Sequence, residues 1–141
     1  MNILVINGPN INMLGIREPK IYGSKTYQDL KAYLKQVGKE NNVKLKIVQS
    51  NSEGKIVTII QKSYNKYDGI IINAGALTHY SYAILDALNA VQIRTCEVHL
   101  SAINNREEFR KHSVIKQACE KVFSGKGFAS YKEAIEYLKG V

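Results

Sequence analysis

The sequence predicts an α/β fold in which five parallel strands form a doubly wound sheet covered by helices on both faces. Short apolar runs alternate along the chain with longer segments whose apolar residues recur every three or four positions, as in strands followed by helices. Repeated strand–helix–strand units join parallel strands through right-handed crossovers. Two runs, residues 2–7 and 69–73, are apolar almost throughout, which is typical of strands buried on both faces.

The first half of the chain supplies two strands and two helices. The buried strand over residues 2–7 is followed by a loop, residues 8–25, that contains both prolines. Thr26 then has the context of a helix cap, with an acidic residue three positions later. In residues 43–49 lysines alternate with apolar residues, which predicts a half-exposed strand at an edge of the sheet. Ser52 is the expected cap of the second helix.

The second half supplies three strands. A buried strand over residues 69–73 precedes a helix over residues 81–90 and a strand over residues 93–100. A polar loop and a helical turn from Arg106 to Arg110 follow. A short strand around residues 120–124 leads into a closing amphipathic helix. Together the elements predict a flavodoxin-like, three-layer α/β/α arrangement.

One domain over residues 1–141 is expected, because this length is close to the commonest domain size. The sequence has no apolar run approaching the ~20 residues of a membrane-spanning helix, and its N-terminus lacks the features of a signal peptide. Cys96 and Cys119 lack metal-site spacing and are expected to be small core residues. These features predict a reducing, cytoplasmic setting.

The formal net charge of +8 raises nucleic acid as a partner. However, the lysines are scattered over expected surface positions: Lys31, Lys35, Lys39, Lys44, Lys46, Lys55 and Lys62. We therefore expect a solvated surface whose positive field helps to capture an anionic small molecule, with no nucleic acid or membrane as partner. Nucleic-acid binding is the alternative, and it predicts binding that weakens steeply with salt.

Polar residues follow three of the predicted strands. Asn10 comes after the first strand, Asn73 and His79 lie at and beyond the end of the third, and His99 and Ser101 lie at the end of the fourth. In doubly wound sheets, ligands bind beyond the carboxyl ends of the strands, where the strand order reverses. The sequence therefore predicts a binding site at this edge.

The long loop after the first strand is a candidate lid. It contains Arg17, Glu18 and Tyr22, with Gly15 and Gly23 as candidate hinges. Loops of this length inside a compact domain are often functional.

Two other kinds of α/β domain are alternatives to an enzyme. A flavin- or nucleotide-binding module would have a phosphate loop after the first strand, whereas residues 7–10 match neither the dinucleotide fingerprint nor a Walker loop. Visible flavin absorbance would favour that module. A signalling receiver needs acidic residues at the ends of the first and third strands, where this chain has Asn7 and Asn73.

Several segments in the same order resemble the motifs of type II 3-dehydroquinate dehydratases. They are residues 7–23, 73–79, 97–101 and 106–113, with Gly125-Lys126-Gly127 and Tyr131 similar in outline. The departures from the family pattern are small and avoid the residues expected to perform chemistry: Ile11, Met13, Lys116, Gln117 and Ser130.

The resemblance implies anti elimination of water from 3-dehydroquinate to give 3-dehydroshikimate through an enolate, without a metal, nicotinamide or Schiff-base lysine. The pathway would be aromatic amino acid biosynthesis or quinate catabolism. It also implies a homododecamer of four trimers.

The catalytic roles expected by resemblance satisfy the needs of this chemistry: a base, an acid and a stabiliser of the enolate oxygen. Tyr22 is the expected base, because the Arg17 cation favours its phenolate. His99 is the expected acid, since imidazole has a reference pKa of about 6.5. Glu97, two residues earlier on the strand, is expected to face the same side and orient His99. Asn10 is the expected stabiliser of the enolate.

The remaining candidates bind substrate. Asn73 and the backbone amides of Leu100 and Ser101 are expected to hold the carboxylate. His79 and Arg110 are expected to contact ring hydroxyls.

Arg106, four residues before Arg110, would lie on the same helix face, acting in the site or pairing with a surface Glu. By resemblance alone, Asp86 reaches the active site of a neighbouring subunit.

Overall fold

The structure, a computed structural model, describes residues 1–16, 24–102 and 106–140. Its strands are β1 (Asn2–Asn7), β2 (Lys44–Gln49), β3 (Gly69–Asn73), β4 (Arg94–His99) and β5 (Lys121–Ser124). They form one parallel sheet in the order β2-β1-β3-β4-β5. The predicted doubly wound α/β fold is therefore confirmed, with strand ends within one or two residues of those expected.

In the part of the chain that the structure describes, four α-helices and four short 3-10 helices accompany the strands. The α-helices are α1 (Tyr27–Glu40), α2 (Glu53–Lys62), α3 (Tyr82–Val91) and α4 (Ala129–Gly140). The 3-10 helices comprise Ile11–Met13, Gly75–His79, Glu108–Lys111 and Ile115–Ala118. Among the described residues, no helix combines the length and apolar character needed to cross a bilayer.

Two apolar clusters cover the two faces of the sheet. On one face, α1 and α4 pack Leu30, Leu34, Ile135 and Leu138 against Val5 and Ile71. On the other, α2 and α3 pack Ile56, Ile60, Ile84 and Leu88 against Ile6 and Ile70. The central strands β1 and β3 contribute alternate side chains to opposite clusters, which explains why both are apolar almost throughout.

The predicted helix caps are present. Thr26 and Asp29 form a reciprocal capping box: the Asp29 N–H donates to Thr26 Oγ1 at 3.1 Å, and the Thr26 N–H donates to Asp29 Oδ2 at 2.9 Å. These bonds to Thr26 lower the pKa of Asp29. Ser52 caps α2 by accepting a bond of 3.2 Å from the Lys55 N–H.

The strand order reverses between β1 and β3, which lie side by side with Asn7 opposite Asn73. Directly beyond this pair, the Gly8 N–H donates to the Asn73 carbonyl oxygen at 2.8 Å. A Cβ at Gly8 would collide with the Ala74 carbonyl group, so only glycine fits there. The two loops that leave this point are thus held close together at the carboxyl edge of the sheet.

The cysteines fit the core interpretation to different degrees. Cys96 is fully buried in β4, and Cys119 is partly buried before β5; neither forms a disulfide. Burial raises the pKa of the Cys96 thiol to about 12, so it stays protonated at neutral pH. Within the described ranges, no cluster of three or more His, Cys, Asp or Glu could hold a metal ion.

Candidate active site

A cavity lies at the carboxyl edge of the sheet, as the strand ends predicted. It contains about 650 Å³ of space between atoms, its open mouth included. Its lining comprises Pro9, Asn10, Ile11, Leu14, Asn73, Gly75, Ala76, His79, His99, Leu100, Ser101, Arg106 and Arg110. Among these described residues the only permanent charges are the two arginines, so the cavity favours an anion.

A row of buried polar side chains lies at the ends of β1 and β3. The Tyr131 hydroxyl of α4 donates to Asn7 Oδ1 at 2.6 Å and accepts a bond of 3.0 Å from Asn73 Nδ2. The Gly75 N–H donates to Asn73 Oδ1 at 3.4 Å. Burial raises the pKa of Tyr131, which keeps its hydroxyl neutral. Asn73 lines the cavity, so this row connects the core to the site.

A second buried group lies at the end of β4. Nε2 of His99 bonds Oε2 of Glu97, whose other carboxylate oxygen accepts a bond of 2.7 Å from the Ser113 hydroxyl. The two residues therefore face the same side, as their spacing predicted. Because a carboxylate only accepts, Nε2 carries the hydrogen and Nδ1 is the nitrogen left to exchange a proton with a ligand.

His79 lies on the 3-10 helix after β3 and lines the same cavity as His99. Its Nδ1 lies 2.6 Å from the His112 carbonyl oxygen, which only accepts, so Nδ1 carries the hydrogen. Burial lowers the pKa of His79 below its ordinary 6.5, and the charges of His99 and Arg110 lower it further, against the opposing effect of the His112 carbonyl. The ring is thus neutral at neutral pH, and its Nε2 can accept a hydrogen bond from a hydroxyl group.

Both predicted arginines line the cavity. The prediction of a helical turn from Arg106 to Arg110 is wrong. Glu107 adopts an extended ψ of 152°, so the 3-10 helix begins only at Glu108. Arg106 precedes it and lies with Nη1 3.5 Å from the Ser101 hydroxyl oxygen. Arg110 pairs with Glu107 at 3.5 Å. The arginines therefore converge on the cavity from different backbone conformations rather than from one helix face.

Asn10 borders the cavity in a left-handed conformation with φ of 70°. Its N–H donates to Asn51 Oδ1 at 3.1 Å, and Gln49 Nε2 donates to the same oxygen at 3.0 Å and to the Gly8 carbonyl at 3.1 Å. These two residues at the end of β2 hold the loop that carries Asn10.

Four residues that support the site were not predicted from the sequence: Tyr131, Ser113, Gln49 and Asn51. Tyr131 and Ser113 belong to the motif segments but received no role. The polar run after the predicted edge strand was a usable signal for Gln49 and Asn51, because it is a strand end like the other three.

The structure describes all but two of the predicted site residues. Arg17 and Tyr22 lie outside the described residues. Asp86 is exposed on α3 and is absent from the cavity lining.

Comparison with known proteins agrees with the resemblance seen in the motifs. The family model described as "Dehydroquinase class II" matches residues 1–139. A 3-dehydroquinate dehydratase of Clostridium acetobutylicum is 51% identical over 141 residues, covering 100% of this chain and 98% of the relative. One from Clostridium perfringens is 54% identical over 140 residues, covering 99% and 96%.

Solved structures agree. The crystal structure of type II dehydroquinase from Butyrivibrio crossotus superposes with a TM-score of 0.96 at 50% identity, covering 98% of this chain and 97% of that one. Family, sequence and fold coincide over nearly the whole length, and no comparison favours a flavin module. The chain belongs to the class II dehydroquinase family.

Proposed function

We propose that this protein is a 3-dehydroquinate dehydratase that removes water from 3-dehydroquinate by anti elimination through an enolate, giving 3-dehydroshikimate. The observation that carries the proposal is the His99–Glu97 pair at a cavity that two arginines also line. The pair supplies a proton donor at a cavity that favours an anion. The relatives reported above are named 3-dehydroquinate dehydratases.

His99 is the proposed general acid that protonates the departing hydroxyl. It is 8% exposed at the cavity, so it can touch the substrate while remaining largely shielded from water. Glu97 is fully buried, and its two carboxylate oxygens are occupied by His99 and Ser113. This arrangement supports a fixed imidazole orientation with Nδ1 available for proton transfer.

Tyr22 is the proposed base, and Arg17 the cation that favours its phenolate. A phenol has a pKa of about 10 in water, so the base needs such a neighbour. These roles rest on the family motif. In support, Leu14 lines the cavity, and a Cβ at Gly15 would lie 2.9 Å from the Ser24 carbonyl oxygen. The segment that carries both residues thus leaves and rejoins the described chain at neighbouring points.

The other proposed residues contact the carboxylate, the enolate oxygen and the ring hydroxyls of the substrate. Asn73 with the Leu100 and Ser101 amides binds the carboxylate, and Asn10 stabilises the enolate oxygen, directly or through water. His79 accepts from a ring hydroxyl through its unprotonated Nε2. Arg110 contacts a second hydroxyl.

Arg106 lies beside Ser101, and both residues line the cavity. Its charge supports a role in attracting the anionic substrate.

The assembly and cellular setting are also proposed. We infer a single catalytic domain over residues 1–141 that assembles as a homododecamer of four trimers in the cytoplasm. The exposed position of Asp86 on α3 is compatible with its reaching a neighbouring subunit's site. The enzyme would serve aromatic amino acid biosynthesis or quinate catabolism, with neither nucleic acid nor membrane as partner.

The direct test measures ultraviolet absorbance of the conjugated enone product after addition of 3-dehydroquinate, with no cofactor added. Replacing Tyr22 by Phe should lower kcat by at least about 10²-fold with ligand binding largely retained, because only the base is lost. Arg17→Ala should depress kcat similarly, since the phenol would then ionise less readily. Tyr64→Phe is the matched control, because this exposed tyrosine lies away from the cavity. Near-normal kcat in Tyr22→Phe would exclude Tyr22 as the base.

A further inference from the structure

Tyr131 is fully buried, yet its hydroxyl connects two asparagines at the reversal point of the sheet. The phenol belongs to the apolar cluster between α4 and the sheet. A polar group at such a depth is costly unless every hydrogen bond it makes is satisfied. Its placement beside a residue that lines the cavity points to a role in binding.

The hydrogen bonds around Asn73 fix which way its amide points. The Gly75 N–H can only donate, so the atom 3.4 Å from it must be Oδ1. Nδ2 therefore faces Tyr131 and donates to its hydroxyl oxygen at 3.0 Å. A neutral phenol has a single proton, and this proton goes to Asn7 Oδ1 at 2.6 Å. The four groups thus have one consistent direction of donation.

This direction leaves one hydrogen of the Asn73 amide for a ligand. Asn73 Nδ2 has two hydrogens, of which Tyr131 accepts one; among the described residues the other has no acceptor. Asn73 lines the cavity together with Leu100 and Ser101. An amide that offers its Nδ2 hydrogen to a ligand attracts a carboxylate. A flipped amide would offer its oxygen instead and would repel the carboxylate.

We propose that Tyr131 is a positioning residue that holds Asn73 as a hydrogen-bond donor to the substrate carboxylate, through the Asn7–Tyr131–Asn73 row. The inference rests on the proposed function, since it concerns how that site recognises its substrate. Tyr131 itself does not touch the substrate. It acts by excluding the other amide orientation of Asn73.

The test compares KM and kcat for 3-dehydroquinate in Tyr131→Phe and wild-type protein. Losing the hydroxyl should raise KM by about tenfold while kcat stays within about threefold, because carboxylate binding is used equally in the ground and transition states. A purely structural role would lower the thermal midpoint without changing KM in the folded fraction.

Two further variants keep the test decisive. Asn7→Leu removes the acceptor that fixes the Tyr131 proton, so it should raise KM in the same way. Tyr137→Phe is the matched control: this tyrosine lies on the same helix, but its hydroxyl donates to Glu120 near the opposite edge of the sheet. Its KM should stay unchanged.

The outcomes separate this inference from the proposed function. Absence of turnover in the wild-type protein would contradict the proposed function itself. With an active wild type, an unchanged KM in either folded variant, Tyr131→Phe or Asn7→Leu, overturns the role of Tyr131. Failure of both variants to fold also overturns it, because the row would then be structural.

Discussion

The carboxyl and amino edges of the sheet differ in how deeply their bonded polar side chains are buried. At the carboxyl edge, Asn7, Asn73, Glu97 and His99 are 0–8% exposed and bond one another or neighbouring side chains. At the amino edge, the charged pair Arg94–Glu120 lies nearer the surface, with side chains 31% and 34% exposed.

The carboxyl edge has buried polar groups where well-packed apolar residues would stabilise the fold more. An exposed ion pair costs little and contributes little, about 0–1 kcal/mol. Buried polar groups contribute less to stability than well-packed apolar residues and become costly when a partner is lost. Polar residues retained at one buried edge, beside a cavity, are therefore expected to be kept for binding and chemistry.

The largest effect should come from replacing the proposed acid at the carboxyl edge. His99→Gln should lower kcat by about 10² to 10⁴-fold, because the amide cannot deliver a proton. The glutamine can still donate to Glu97, so the thermal midpoint should change little. His112→Gln serves as the control, since the His112 side chain is exposed and does not line the cavity. Equal kcat in the two variants would remove His99 from the mechanism.

A smaller effect concerns pH. The pKa of His79 is lowered in the folded protein, so the unfolded chain binds more protons as pH falls below about 6.5. The stability due to neutral His79 is complete above that pH and is lost as pH falls towards the lowered folded pKa. The difference in thermal midpoint between wild type and His79→Gln should therefore shrink from about pH 8 to about pH 5. A difference that widens on acidification would contradict the neutral assignment.

The smallest effect is expected at the amino edge. Glu120→Gln removes the charge that pairs with Arg94 and should lower the free energy of unfolding by less than about 1 kcal/mol, with kcat unchanged. Arg94 holds the pKa of Glu120 below its usual range, so the loss should be clearest at low salt and neutral pH. Urea unfolding at two salt concentrations measures it. A loss of kcat in Glu120→Gln larger than that in His99→Gln would contradict the view that the carboxyl edge, and not the amino edge, supports catalysis.

Local patterns predicted most of the fold. The apolar runs of β1 and β3 match the observed strands residue for residue, and Thr26 and Ser52 cap their helices as their spacing indicated. The alternation of side chains along a strand was enough to place Glu97 and His99 on one side. Such features depend on neighbours a few residues apart, which a single sequence displays.

Long-range contacts were harder to predict. Tyr131 bonds residues 58 and 124 positions away, and within an amphipathic helix it reads as one more core residue. The prediction that Arg106 and Arg110 share a helix face was wrong because the backbone is extended at Glu107 and the helix begins only after it. Residue spacing does not reveal where such a helix begins. Gln49 and Asn51 were missed because only three strand ends were considered.

The central claim is that separate residues act on opposite faces of the substrate, a base on the loop after β1 and His99 at the end of β4. It is tested by 3-dehydroquinate that carries deuterium only at the position beside the ketone that is anti to the departing hydroxyl. If the proton and water leave on opposite faces, nuclear magnetic resonance will find the product without deuterium. Product that retains the deuterium would mean syn elimination and would contradict the claim.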